Sequence, residues 1–409
     1  MKLRAFLAVG VLLAGAACQS GSTGGLSSLT ADIVIFSDMP SSAFPPDVVP
    51  LEQAIELAIA QQREIAGFKL AYRPLDDSLG ATANQAMGVQ NINAMIADPT
   101  VLGMIGPFNS NVAFTEIPAA GAGDLALMSP SNTNVCLTVP VPYCTRDLGV
   151  LRPNGHSTYF RIAAPEIAQG TAMGRYAANT LGVKRVAAFS EWPNAGPLII
   201  DAFATELAKA GGKVVLRRDL DQGTATFNQF LAQAKADGAE AVYAVTGDDG
   251  DHVCVARAQM RSMSFNAKFL VTDGALGNSC KGDAVDPEGI LTTTSVVLPD
   301  PGTDPQAKAM IEAYRKAFPK NSSIPDYGFA AYDCARILIA AIKQAIEANA
   351  GHFPTRSQVV KALAAIHFTG LTGTYAFDPN GDALSPMMSI YEIKKGAWVY
   401  QQQVGAGRS

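Results

Sequence analysis

A chain of 409 residues, 48% hydrophobic and 16% charged, is too long for one compact core, so two lobes or domains are expected. A formal charge of −5 and a pI near 5.5 give no basic surface for nucleic acid. The six cysteines include no CxxC pair and the four histidines (His156, His252, His352, His367) are scattered, so no metal site and no cofactor are expected.

Residues 1–17 read as a secretory signal peptide. Lys2 and Arg4 precede an apolar stretch from Ala5 to Leu13 and then small residues, a layout too short for a stable membrane span. GAAC at 15–18 resembles a lipobox, in which Cys18 is lipidated and becomes the new N-terminus; ordinary cleavage after Ala14-Gly15-Ala16, with Cys18 incidental, is the competing reading. Residues 18–30 have the composition of a flexible tether. Later in the chain the apolar stretch ARILIAAIKQAI is interrupted by Arg336 and Lys343, so it reads as a helix of a soluble body. Export places the other five cysteines in an oxidising setting. Cys136 and Cys144 flank a short proline-bearing loop and are the natural first pair, Cys254 and Cys280 a second, and Cys334 an inert core thiol in an apolar helix.

From Ala31 the chain alternates. Strands are expected at 32–37, 68–73, 101–105 and 125–129, with helices at 48–66, 81–98 and 112–121 between them. After a loop rich in Pro, Cys and Gly, strands at 184–189, 213–218, 240–245 and 268–272 alternate with helices at 195–210, 225–237 and 252–263. Helices near 304–318, 328–349 and 356–366 follow, then β-rich segments around a DPNGD turn at 378–382. The fold class is α/β, with two doubly wound Rossmann-like lobes and parallel sheets.

In such sheets ligands bind where strands turn into helices. VLGMIGPFNSNVAF (101–114) is such a place: the apolar run stops at Gly106-Pro107 and gives way to Asn109, Ser110 and Asn111. Unpaired N–H groups at a helix start favour an anion, and the Ser110 hydroxyl adds a donor. SPSNTN (129–134) offers Ser131, Asn132 and Thr133 after the neighbouring strand. Capping and turn formation are the plain alternative for both loops.

GMIGPFNSNVAFTEIPAAG followed by LALMSPSNTNVCLT resembles the periplasmic branched-chain amino-acid-binding proteins of ATP-binding-cassette importers, with their type I binding-protein fold. RIAAPEIAQGTAMGRYAANTLGVKRVAAFSE, FLVTDG, EGILTT and YGFAAYDCARIL extend the resemblance from about Asp32 to about Tyr400. It implies a first lobe of 31–163 and 292–372 and a second of 164–291 and 373–409. The chain would cross three times, near Arg161–Pro165, Glu288–Thr292 and Gly370–Thr374, and the lobes would close on a ligand about those segments. It also implies that Ser110 and the Ser131-Asn132-Thr133 segment hold a carboxylate and that Asp273 holds an ammonium. Ala195 stands where these proteins carry a tyrosine; Trp192 either supplies that aromatic surface or packs at the hinge. Asp248, with Asp249 and Asp251 in GDDGD, would favour a cationic ligand if it faces the cleft, and otherwise reads as a solvated helix start. The resemblance implies a monomer that takes up a small molecule, serves the permease subunits of an importer, and is exported and tied to the membrane through Cys18. A sensing module that presents its ligand to a receptor would look the same in sequence.

Enzyme signatures are weak. GAGDLA (121–126) precedes a strand instead of following one, no Walker A motif occurs, and GNSCK is not a nucleophile elbow. Asp273 and His252 are the best acid–base pair, with no activated nucleophile identifiable beside them, so the cleft is read as a binding site.

Overall fold

The computed structural model describes residues 32–221, 223–246, 251–275, 287–321, 323–325 and 327–406. Cys18, Asp248 and Cys280, together with the expected signal peptide and tether, lie outside the described residues. No helix among the described residues is long and apolar enough to cross a membrane.

The first sheet is built from β1 (Ile33–Asp38), β2 (Phe68–Leu75), β3 (Val101–Ile105), β4 (Ala126–Ser129) and β5 (Tyr159–Arg161). They lie parallel in the order β2–β1–β3–β4–β5, and the short strand Glu64–Ile65 adds antiparallel to β2. Every residue of β1, β3, β4 and β5 is buried, as expected for strands covered on both faces. The period-2 alternation divides them. Ile33, Ile35, Leu102 and Met128 face a core shared with α1 (Pro45–Gln62), α8 (Pro305–Ala317), α9 (Gly328–Ala348) and α10 (Arg356–Ala364). Val34, Phe36, Val101 and Leu127 face the opposite core, against α2 (Gln85–Ala97) and α3 (Ser110–Ala122).

The second sheet is β6 (Arg185–Ser190), β7 (Lys213–Asp219), β8 (Ala241–Val245), β9 (Lys268–Val271), β10 (Ile290–Thr293), β11 (Met387–Lys394) and β12 (Ala397–Gly405), in the order β7–β6–β8–β9–β10–β11–β12. It is parallel as far as β10 and ends in the antiparallel β11–β12 hairpin. Helices α4 (Ile167–Asn179) and α5 (Ala195–Lys209) cover one face, while α6 (Asn228–Ala236) and α7 (Asp251–Ser262) cover the other. Helix α4 is missing from the sequence-level segmentation. Its Gly170 is there for packing: a Cβ would lie 2.0 Å from the Ile199 carbonyl oxygen, so only glycine lets α4 and α5 approach this closely.

The chain passes between the sheets after β5, after β10 and before β11. Ala164 N donates to Ser295 O (2.8 Å), pairing the first two crossing segments. The third differs from the expected Gly370–Thr374. Tyr375 and Phe377 pack into the first core, so the chain joins the second sheet only at Met387. Cys136 and Cys144 form a disulfide with Cα atoms 5.5 Å apart, and Cys334 is a free buried thiol. Cys254 is disulfide-bonded; the Cys280 half of the expected bridge lies outside the described residues.

Two polar features are buried in the first lobe. Arg161 is fully enclosed: its Nε donates to Asp382 Oδ1 (2.6 Å), its Nη1 to the carbonyls of Asn132 (3.2 Å) and Asn134 (2.8 Å), and its Nη2 to Thr138 Oγ1 (2.6 Å). It ties the loop after β4 to the DPNGD turn. Asp38, Asp77 and Glu116, at the ends of β1 and β2 and on α3, form a buried group of acids. Burial first, and mutual repulsion second, push Asp38 up to about 8; burial and the Asp76 charge push Asp77 up to about 7.

Candidate ligand-binding cleft

The apolar run of β3 ends at Gly106, whose φ of +132° and distance from Asp38 O (2.6 Å for a Cβ placed there) require glycine. The turn leads directly into α3. Asn109 stands at the N-cap without making a side-chain capping bond, and Ser110 opens the helix. Of the first-turn N–H groups, that of Val112 donates to Asn111 Oδ1 (2.9 Å), which leaves those of Ser110 and Asn111 to favour an anion. Ser129, at the end of β4, fixes the second loop beside the first. Its Oγ donates to Pro107 O (2.9 Å) and accepts from the N–H of Ser131 (3.3 Å) and Asn132 (3.1 Å). Ser131 Oγ and Asn132 Nδ2 both donate to Phe108 O, each at 2.8 Å, and Asn134 N donates to Ser110 Oγ at 3.4 Å. The two small-polar loops therefore converge, one turn against the other.

These loops form one wall of a cavity of about 680 Å³, a volume suited to a small metabolite. Ser110, Ser131 and Thr133 line it, with Trp192 and Asp273 contributed by the second lobe. Asn132 is not in the lining. It is fully buried, and its Oδ1 accepts from Tyr159 OH (3.1 Å), so its amide holds the loop together behind the wall. Asp248 lies outside the described residues.

Of the acids that line the cavity, Asp273 stands across from these loops and Glu166 beside them, its N–H donating to Thr133 O (2.8 Å). Asp273 follows β9, and its Oδ1 accepts from Gln169 Nε2 (2.7 Å) while Oδ2 accepts from the Ser295 hydroxyl. Its N–H donates to Gln169 Oε1 (2.9 Å), which also accepts from Thr293 Oγ1 (2.7 Å), so the carboxylate is oriented from α4 and from β10. Glu166 sits just ahead of α4. Its Oε1 accepts from Val135 N (3.1 Å) and Tyr143 OH (3.0 Å), while Oε2 has no partner among the described residues. Burial lifts the Glu166 carboxyl to about 7, against the lowering pull of Val135 N–H, the Arg161 charge and Tyr143 OH.

Glu166 escapes sequence reasoning because a lone acid at a helix start reads as a cap. Phe108 and Tyr327 also line the cavity and meet edge to face (centroids 6.3 Å, planes at 90°). Both stand at turns before helices, where no periodicity singles them out. Trp192 is clamped by Ser190 Oγ, which accepts from its N–H (3.0 Å) and donates to its carbonyl (3.2 Å). Ala195 is buried and absent from the lining.

The periplasmic binding protein family model matches residues 35–397, nearly the whole described chain. The chain belongs to the periplasmic binding protein family. Membership implies an exported protein, and the family is one of solute binders. Two curated proteins of Pseudomonas aeruginosa (strain PAO1) are similar to it. One is an amino acid binding protein, 31% identical over 163 residues, covering 39% of this chain and 42% of that protein. The other is a leucine-, isoleucine-, valine-, threonine- and alanine-binding protein, 28% identical over 251 residues, covering 59% and 62%. The match thus spans less than two thirds of the length of either relative. Solved structures share the fold across nearly the full chain. An ATP-binding-cassette transporter substrate-binding protein from Desulfitobacterium hafniense in complex with Leu is 18% identical, with a TM-score of 0.71 and coverage of 90% and 99%. A solute-binding protein from R. palustris in complex with benzoate is also 18% identical, with a TM-score of 0.64 and coverage of 92% and 96%.

Proposed function

We propose that this protein captures a small carboxylate-bearing metabolite, most readily a zwitterionic amino acid, and delivers it to the permease subunits of an ATP-binding-cassette importer. In this reading it works as a monomer held near the membrane through a lipidated Cys18. One observation carries the ligand class: the cleft is polarised. One wall presents hydroxyls and a helix start at Ser110, Ser131 and Thr133; the other presents the carboxyl of Asp273, and the Glu166 carboxyl stands at the junction beside Thr133. A ligand with an anionic and a cationic end satisfies both walls at once, each by charge-assisted hydrogen bonds. The similarity to two amino acid binding proteins supports the same class.

A second reading has support of its own. Phe108, Trp192 and Tyr327 put three rings around the cavity, which suits a carboxylic acid with an aromatic body, as in the benzoate-bound structural neighbour. A thermal-shift screen of amino acids, deaminated acids and aromatic acids on the purified protein tests both. A ligand at 100 times its Kd should add about 2.7 kcal/mol to stability. If only aromatic acids raise the melting temperature, the zwitterion reading is wrong. If nothing does, both readings fail.

A further inference from the structure

We propose that Asp38, Asp77 and Glu116 form a divalent-cation site behind the first-lobe wall of the cleft, suited to a hard ion such as Ca²⁺ held by carboxylate oxygens. The geometry is that of a shared ion. Each residue offers one oxygen, and the three oxygens lie within 4.8 Å of one another. Oxygens on opposite sides of a Ca²⁺ bound at about 2.3–2.6 Å stand about 5 Å apart and adjacent ones stand closer, so one ion can reach all three. An all-oxygen donor set favours Ca²⁺, Mn²⁺ or Mg²⁺ over zinc or copper.

A separate observation points to something bound there. All three residues are fully buried, yet Asp38 Oδ2, both Asp77 oxygens and both Glu116 oxygens have no hydrogen-bond donor among the described residues. From outside the cluster Asn91 Nδ2 donates to Asp38 Oδ1 (2.8 Å) and to the Asp76 carbonyl (3.1 Å); within it the Asp38 and Glu116 carboxyls interact with each other, and a backbone N–H meets the Asp77 carboxyl. Neither lysine nor arginine pairs with any of the three among the described residues. Buried carboxylates without donors are costly unless they are protonated or bound to a cation, and three at one point multiply the cost. The packing makes room for the arrangement. A Cβ on Gly88 of α2 would fall 2.3 Å from Glu116 Oε1, so the bare backbone there lets the Glu116 carboxyl keep its place. An ion at this point would join the ends of β1 and β2 to α3, the helix whose first residue lines the cleft. The proposal is independent of the ligand assignment.

The test uses purified protein stripped by a chelator and then given Ca²⁺, Mn²⁺ or Mg²⁺ alone. Elemental analysis after dialysis should find one divalent ion per chain, and the melting temperature should rise by several degrees on addition of the preferred ion. Glu116→Gln and Asp77→Asn should each lose both the bound ion and the rise. Crystals soaked in Mn²⁺ should show an anomalous peak among the three carboxylates, a readout that needs no variant to fold. Absence of any ion at millimolar concentration overturns the proposal; the acids then share protons, and Glu116→Gln should simply stabilise the protein. Binding that survives both substitutions overturns it as well, because the ion would then sit elsewhere.

Discussion

Two groups of acids in this molecule, one at the cleft and one buried behind it, are built on opposite plans. Asp273 and Glu166 border the cleft and are supplied with donors: Gln169 and Ser295 for one, Val135 N–H and Tyr143 OH for the other. Asp38, Asp77 and Glu116 lie away from the cavity lining, and Asn91 donates to Asp38 alone of the three. Donors fix where a carboxylate points and favour its charged form, which under the proposed function would suit the cleft pair to a cationic group that comes and goes. The donor-poor group would suit the bound ion proposed above. Burial alone does not tell a ligand-facing acid from a structural one; the surrounding donors do.

The strongest way to break this contrast is to remove the cation behind the cleft. Arg161 is enclosed, pairs with Asp382, and holds the carbonyls of Asn132 and Asn134, so it braces the loop that carries Thr133. It also draws the Glu166 carboxyl downward. Arg161→Ala leaves the buried Asp382 without its counter-charge and with only the Thr138 hydroxyl as side-chain donor (2.8 Å), at a cost of about 3–5 kcal/mol, which denaturant unfolding at pH 7 should read directly. Affinity for any carboxylate ligand should fall with it, because the loop loses its anchor. A loss below about 1 kcal/mol would mean that Asp382 finds water or another donor and that the brace is dispensable.

A second experiment sharpens the contrast through pH. The folded carboxyl of Glu166 titrates at about 7 against an ordinary 4.5, so the folded protein holds this proton more tightly than the unfolded chain. Its contribution to stability is therefore complete below about pH 4.5 and is lost as pH rises toward 7. At about 1.4 kcal/mol per pKa unit, Glu166→Gln should gain on the order of 2–3 kcal/mol over wild type between those limits. The measurement is the difference between the two unfolding profiles, which cancels the other acids. A difference that does not change with pH would show that Glu166 is already ionised in the folded state. Binding of a zwitterion should move oppositely, strengthening as pH passes 7 and Glu166 ionises.

How much of this was legible beforehand follows from how local each signal is. The loops after β3 and β4 could be read because an apolar run stops abruptly at small polar residues, a pattern held within a dozen positions. Both blocks of alternating strands and helices were legible for the same reason. The acids needed three dimensions. Glu166 is a site residue only because Val135 and Tyr143, across the disulfide-closed loop, fold over it. Arg161 meets Asp382 across 221 positions of sequence. Gln169, which aims Asp273, lies in a helix that the sequence did not mark, since Gly170 and Gly174 depress its helical character. The late third crossing has a similar cause: Tyr375 and Phe377 look like strand residues of the final hairpin, yet their rings fill the first core.

A third experiment separates the two ends of the ligand. Asp273→Asn keeps the shape and removes the charge, so binding of an amino acid should weaken by about 1.5–3 kcal/mol, read by calorimetry. The corresponding deaminated acid should lose far less or bind better, since it has no ammonium to place. Equal losses for both ligands would make Asp273 a support for Gln169 and Ser295 and not a ligand contact.

The smallest expected effect concerns the opposite wall. Ser110 stands at the start of α3, where the first two N–H groups of the helix already favour an anion, so its hydroxyl is one donor among several. Ser110→Ala should weaken the amino acid and its deaminated analogue alike, by about 0.5–1.5 kcal/mol, because both keep the carboxylate. The fold should scarcely notice: the one bond lost is the long contact from Asn134 N at 3.4 Å. Calorimetry on this variant with the same ligand pair completes the comparison. A loss confined to the amino acid would put the ammonium, not the carboxylate, against the first lobe and would reverse the polarity of the cleft. No loss with either ligand would leave Ser110 as a helix-start residue that lines the cavity without touching what it holds.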